Sequence, residues 1–286
     1  MFADSDIGKR LVAMLALCAV LTTAGCAAFK PTEANGPTAN TPLYPMALSD
    51  VGPRLEEASV AWYQLSQRYG LTGKTEANLH PYTATLQSLP ANLPGAIHLP
   101  KVGAQPQTEE DTRESLRRFI VEWQQLIGAQ PNELSLVERT DEPSGVKVAR
   151  YEQRPFRYPL RGGFGMFELR FRSDGQVVGF SSNCIPNADR LQSTLAGLTP
   201  KVSREQAASH LKTQPVTVMD ANNRQQTFSL PPNAVAEARQ LVVYAQPSKD
   251  PLSGLEIRLA WEVDVTNGPI SKIYLDAISD EIIAAS

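Results

Sequence analysis

The sequence predicts an α+β protein built of two successive modules, each a helix followed by antiparallel strands, and three observations carry this. Two capping boxes, Thr108-Glu109-Glu110-Asp111 and Ser203-Arg204-Glu205-Gln206, mark helix starts in separate parts of the chain. After each, apolar and polar residues alternate with the period of a strand. Phe167, Leu169 and Phe171 alternate with Glu168, Arg170 and Arg172; Ile257, Leu259, Trp261, Val263 and Val265 oppose Glu256, Arg258, Glu262 and Asp264. Turn pairs at Asp174-Gly175 and Asn267-Gly268 then close strands into hairpins. Helix then sheet, twice over, is an α+β arrangement.

In chain order, Ser49-Asp50 opens a helix with Leu55, Ala58, Trp62, Leu65 and Tyr69 on one face, and Gly70 ends it. From Leu71 to Gln107 prolines and glycines are frequent and periodicity is lost, so residues 51–107 read as a helix and an irregular connection. The first module spans residues 108–190. Its helix carries a stripe of Leu116, Phe119, Ile120, Trp123, Leu126 and Ile127 up to Gly128, and that stripe needs a sheet to cover it. Strands are predicted from Leu134 to Arg139, from Val146 to Gln153, and in the hairpin that ends at Phe180. The second module spans residues 199–286: a short helix through Ala207 and Leu211, then strands at Leu241 to Tyr244, Glu256 to Val265 and Ile273 to Leu275, with a last short one at Ile282-Ile283. The alternation puts Trp261 in the core and Glu262 on the opposite face, where its removal is expected to cost little.

The N-terminus reads as an export signal. Lys9 and Arg10 precede an apolar run from Leu11 to Leu21, 11 residues long, against the ~20 that a membrane-spanning helix needs. The run is followed by Thr23-Ala24-Gly25-Cys26, which resembles the lipobox of bacterial lipoproteins. That resemblance implies that residues 1–25 are removed, that Cys26 is thioether-linked to diacylglycerol, and that this lipid is the membrane attachment. Thr23 replaces the Leu most frequent in the pattern; a plain secretory signal cleaved elsewhere is the alternative. Residues 26–50, rich in Pro, Thr, Ala, Asn and Gly, read as a flexible tether. Ala27 stands where an Asp would retain the protein in the inner membrane, so the resemblance implies a cell-envelope protein on the outer membrane of a Gram-negative cell. With Cys18 in the signal and Cys26 lipidated, Cys184 is left alone; no internal disulfide can form, and the thiol reads as buried and structural.

A formal net charge of −3 gives no electrostatic reason to expect nucleic acid as a partner. Arg150, Arg154, Arg157 and Arg161 form the densest basic cluster and read as solvated strand and loop positions. The histidines are His80, His98 and His210, and no His-Glu-x-x-His occurs, so no helix-borne zinc site, and no cofactor, is expected. Ser209, His210 and Asp220 or Asp264 make a hydrolytic triad only on paper. Gly162-Gly163-Phe164-Gly165 lacks phosphate-loop spacing and reads as a bend entering a strand. The chain is therefore expected to be non-catalytic.

Leu259-Ala260-Trp261-Glu262-Val263-Asp264-Val265, with Tyr274-Leu275-Asp276-Ala277 and Glu281-Ile282-Ile283-Ala284-Ala285, resembles the PepSY module that ends the propeptides of thermolysin-like metalloproteases. Tyr151-Glu152-Gln153, the hairpin Ser173 to Val178 and Cys184-Ile185-Pro186 are similar to the fungalysin/thermolysin-propeptide module that precedes it. The resemblance implies a protein that binds an exported zinc metalloprotease in trans, inhibiting it or assisting its folding. It makes Asp276, Ala284, Ala285 and Ser286 the candidate partner-binding residues, with the last three placed to enter a protease cleft. A structural or assembly lipoprotein that holds another envelope component is the alternative. Two departures stand out: Ser279-Asp280 replaces the usual Thr-Gly of the terminal turn, and the sequence ends at Ser286 where a zymogen continues. Cys26→Ser is expected to abolish metabolic labelling by palmitate and to release the protein or leave it unprocessed, because each buried acyl methylene contributes about 0.8 kcal/mol to membrane attachment.

Overall fold

Two largely antiparallel sheets, each with helices against one face, organise the chain. The computed structural model describes residues 43–71, 76–90, 93–103, 108–213, 215–219, 225–248 and 254–286. The signal segment, Cys26, most of the tether and Asp220 lie outside the described residues. The first half runs β1 (Met46–Leu48), α1 (Val51–Arg68), β2 (Asn78–Leu79), β3 (Leu86–Ser88), β4 (Ile97–His98), α2 (Glu109–Glu122) and α3 (Gln124–Ile127). A 3₁₀ turn at Pro131–Glu133 leads to β5 (Leu134–Asp141), β6 (Val146–Gln153), β7 (Leu160–Arg161), β8 (Met166–Arg172) and β9 (Gln176–Ser182). The second half runs α4 (Ala188–Ala196), α5 (Arg204–Thr213), β10 (Val216–Met219), β11 (Gln225–Phe228), β12 (Val235–Pro247), β13 (Leu255–Thr266), β14 (Lys272–Asp276) and β15 (Ile282–Ala285).

The first sheet has the order β4-β9-β8-β6-β5. Its inner face, with Phe167, Leu169 and Phe180, packs on Phe119 and Ile120 of α2 and on Trp62 and Leu65 of α1. The capping box of α2 forms: Thr108 Oγ1 accepts the Asp111 N–H at 3.1 Å and the Asp111 carboxylate accepts the Thr108 N–H at 3.0 Å. The apolar stripe continues through α3 and stops at Gly128, whose φ of +78° turns the chain away and suits glycine. Leu55, expected inside, is 36% exposed, and Ala61 is buried in its place, so the core-facing stripe of α1 is rotated from the predicted one. The described part of residues 71–107 is less irregular than its composition suggests, because it supplies β2 and β3 and the edge strand β4. On the outer face Arg150 bridges Glu138 and Glu168 at 2.6 Å each, and Arg170 holds Glu142 at 2.7 Å. These pairs are solvent-screened and contribute little stability.

The second sheet has the order β15-β14-β13-β12-β7, with β1 beside β13 past the end of β14. Odd-numbered residues of β13 face two cores. Leu255, Ile257 and Leu259 meet Ala188 and Leu195 of α4, while Val263 and Val265 meet Ala207 and Leu211 of α5. Trp261 lies between them, half-buried, its indole N–H donating to the Val202 carbonyl at 2.9 Å. β12 is far longer than the predicted Leu241 to Tyr244, because it carries a bulge at Ala238/Gln240 and still follows β13 over nearly its whole length.

Two expectations need correction. The tether does not extend through residue 50: Met46 and Leu48 are buried and pair with Ile257 and Leu255, so Met46–Leu48 belongs to the second sheet. Glu262 lies on the face opposite the helices as predicted, but that face is not wet there: the residue is 3% exposed, with Glu256 and Arg258 buried beside it. Cross-strand ion pairs cover these charges on the even face of the sheet, an arrangement that the alternation alone does not show.

The two halves are joined by a buried amide. Gln153, at the end of β6, donates through Nε2 to the Ile185 carbonyl at 2.9 Å and accepts the Ile185 N–H through Oε1 at 2.7 Å. Because both Ile185 groups would lose their partner inside the protein, Gln153→Leu is expected to destabilise the fold by about 2–3 kcal/mol. Urea unfolding followed by tryptophan fluorescence checks this.

Candidate functional site

Among the described residues, the even face of the second sheet carries a dense set of convergent polar groups. Tyr244 lies opposite Arg258, Tyr274 opposite Glu262, and Ala260 stands on β13 between them. The single methyl of Ala260 leaves room for the two rings to meet across the central strand, with centroids 4.6 Å apart. Both tyrosines remain partly exposed. Beside them Glu262 accepts Lys272 Nζ at 3.0 Å, Arg161 Nε at 3.1 Å and Gln240 Nε2 at 2.7 Å. Burial pushes the Glu262 carboxyl up, but the hydrogen bonds from Gln240, Lys272 and Arg161 outweigh it and hold the group down to about 2. Lys272 also reaches Asp264 at 3.1 Å, and Arg239 joins Asp264 at 3.0 Å to extend the network to the exposed end of the strand. Neither helix of the second half packs here; both lie on the odd face.

At the other end of the face Asp276, Arg258 and Glu256 are enclosed, while Glu281 at the rim stays about half exposed. Asp276 has no exposed surface, and its carboxylate accepts the Tyr44 hydroxyl at 2.9 Å, the Ile278 N–H at 2.8 Å, the Ser279 N–H at 3.0 Å and Arg258 at 2.8 Å. Arg258 also pairs with Glu256 and with Glu281, the latter at 3.0 Å. Tyr44 accepts the Leu259 N–H at 3.1 Å in the gap between β1 and β14. Its hydroxyl is held protonated by burial and by the adjacent Asp276 carboxylate.

Of the residues singled out from the sequence, Asp276 is thus a buried bridge. Ala284 and Ala285 lie in β15, opposite Tyr274 and Ile273. Ser286 donates its N–H to the Lys272 carbonyl at 2.8 Å and accepts the N–H groups of Ser271 and Lys272 at 2.9 Å. The structure therefore places all four around β14, with residues 284–286 tied to the sheet. His80 accepts the N–H groups of Tyr82 and Thr83 through Nδ1 and so closes a turn. His210 Nδ1 lies 2.8 Å from Asp280 Oδ2, and Asp280 occupies the left-handed region at φ +64°. That contact accounts for an aspartate in a turn where glycine is easier. Cys184 is fully buried, and burial pushes its thiol up to about 12, which makes it inert. Sequence reasoning missed Tyr44 and Lys272 and took Arg161 for a solvated position, whereas it pairs with buried Glu262; the excess of acids on the even positions of β13 was the one available sign that cations had to come from elsewhere.

No helix among the described residues is long and apolar enough to cross a membrane. No protein-family model matches the chain, and no curated protein matches it.

A fall from 4.5 to about 2 in the folded protein corresponds to about 3 kcal/mol of stabilisation by ionised Glu262. Since the folded value is depressed, this contribution is present above about pH 5 and is lost as pH falls towards 2. Glu262→Gln is expected to unfold about 3 kcal/mol more easily at pH 7, with the gap to the unmodified protein closing between pH 5 and pH 2. Denaturant melts at stepped pH read both quantities.

Proposed function

We propose that this chain is a non-catalytic binding module of the cell envelope, attached through lipid on Cys26, that engages an exported thermolysin-like zinc metalloprotease in trans. The observation that carries the reading is the even face of the second sheet. It presents a partly exposed tyrosine pair amid Arg161, Lys272 and Gln240, whose positions are already fixed by Glu262. Tyrosine and arginine are the side chains that most often dominate protein interfaces, and groups held in place before docking lose less entropy on binding. The resemblance of the same strands to PepSY modules supports a protease as the partner. The non-catalytic reading is supported by an inert Cys184 and by a His80 occupied in closing a turn.

One observation favours the second reading, an assembly lipoprotein. Residues 284–286 are hydrogen-bonded into the sheet, whereas a tail that enters a protease cleft has to leave it.

Inhibition kinetics with a thermolysin-like protease from the same organism separate the two. Tyr274→Ala is expected to raise the inhibition constant at least tenfold, and Leu136→Ser, on the first sheet, to leave it unchanged. Equal inhibition by both variants excludes docking through this face. Absence of any inhibition by the unmodified protein removes the protease and leaves the assembly reading.

A further inference from the structure

Three of the four clustered arginines converge on one crevice. Arg154, Arg157 and Arg161 line a cavity of about 560 Å³ between the end of β6, β7 and the start of β8, while Arg150 is engaged on the outer face of the first sheet. The floor of the crevice is apolar. Phe156 is 9% exposed, and Tyr158, Leu160 and Phe164 pack against the same core. The glycine loop shapes one wall: Gly162 has φ +97°, and a Cβ there would lie 1.8 Å from the Ala245 carbonyl oxygen. The loop thus runs hard against β12 and holds Phe164 over the floor, with its ring edge-on to His80 at 5.6 Å.

The charges in the crevice are unbalanced. Arg154 is matched by Glu152 at 2.9 Å and Arg161 by Glu262 at 3.1 Å. Among the described residues Arg157 has no salt-bridge partner; its guanidinium is exposed and stands over the Tyr158 ring, 5.4 Å from the centroid. An unmatched guanidinium above an apolar floor favours a carboxylate joined to a large apolar group. The crevice also has a short main-chain edge at β7, where the Leu160 carbonyl already accepts Arg161 Nη1 at 3.1 Å. β7 pairs with β12 through Leu160 and Arg161, and no described strand pairs with its other side. An extended peptide can use such an edge, whereas a lipid headgroup cannot.

We propose that this crevice is a peptide site that takes an extended acidic segment. A carboxylate of the segment binds Arg157, and a neighbouring aromatic side chain rests on Phe156 and Phe164. The inference rests on the reading of this chain as a binding module and adds the chemistry of what it recognises. The site is contiguous with the docking face, since Arg161 lines the crevice and bonds Glu262.

The test is fluorescence anisotropy with three labelled hexapeptides, alternating Asp-Phe, Lys-Phe and Asp-Gly, on the full chain. The Asp-Phe peptide is expected to bind saturably and at least tenfold more tightly than the others. Arg157→Gln and Phe164→Ala are each expected to weaken it about tenfold, and Arg157→Glu to transfer the preference to Lys-Phe. Because Arg157 is exposed, its variants test the site without disturbing the core. No saturable Asp-Phe binding, equal binding of Lys-Phe, or indifference to Arg157→Gln overturns the proposal, as does binding to phosphatidylglycerol vesicles without binding to peptide. Peptide binding without protease inhibition leaves the crevice standing and overturns the protease reading; inhibition without peptide binding does the reverse.

Discussion

The pairing of Arg258 with Asp276 in a closed interior is the constraint on which the second half of the protein depends. Both side chains are almost completely removed from water, 10% and 0% exposed, and lie 2.8 Å apart. Two charges so placed cost several kcal/mol each in lost hydration, which their attraction offsets only if the remaining lone pairs and protons are also matched. Here they are. Tyr44 and two backbone N–H groups fill the Asp276 carboxylate, and Glu256 and Glu281 take up further guanidinium protons. Loss of any partner would strand a buried charge, so the cluster fixes several things at once: where β1 lies, how the turn from Asp276 to Glu281 folds, and how β14 aligns on β13. The short strand at Met46–Leu48 lies beside this cluster, paired with β13 and with Met46 and Leu48 buried.

The same arrangement determines what the sheet can present. With α4 and α5 against one face, the other is left to side chains that neutralise one another across strands. Enclosed at the Asp276 end, the network opens towards Gln240 and Asp264, and the tyrosine pair lies between. A partner placed there would meet side chains already held by Glu262. Such preorganisation favours specificity and a low entropic cost of docking over large buried area.

What was legible in the sequence was local. The capping box at Thr108, the stripe from Leu116 to Ile127 and the hairpin at Asp174-Gly175 depend on residues a few positions apart, and each is found in the structure. The fold class follows from them. Helix α4 was not legible, because Asn187 before it caps nothing and only Ala188 and Leu195 of the helix are buried, too few to set a period. The burial of Glu262 was illegible for another reason: one of its cations, Arg161, lies 101 residues away. Tyr44 is 232 residues from Asp276. Alternation reports which residues share a face of a strand, not whether that face is wet. Asp280 falls between these cases, since its departure from the PepSY pattern was visible in sequence while its His210 contact needed the fold.

In the proposed function the tyrosine-centred face carries the contact with the partner. Site-specific photocrosslinking in intact cells tests it most directly, with benzoylphenylalanine in place of Tyr274 or, as reference, of Val137, which is 41% exposed on the first sheet. One dominant crosslink is expected from position 274, to an exported metalloprotease, and none to it from position 137. Crosslinks of equal yield from both positions, or crosslinking from position 137 alone, would contradict it.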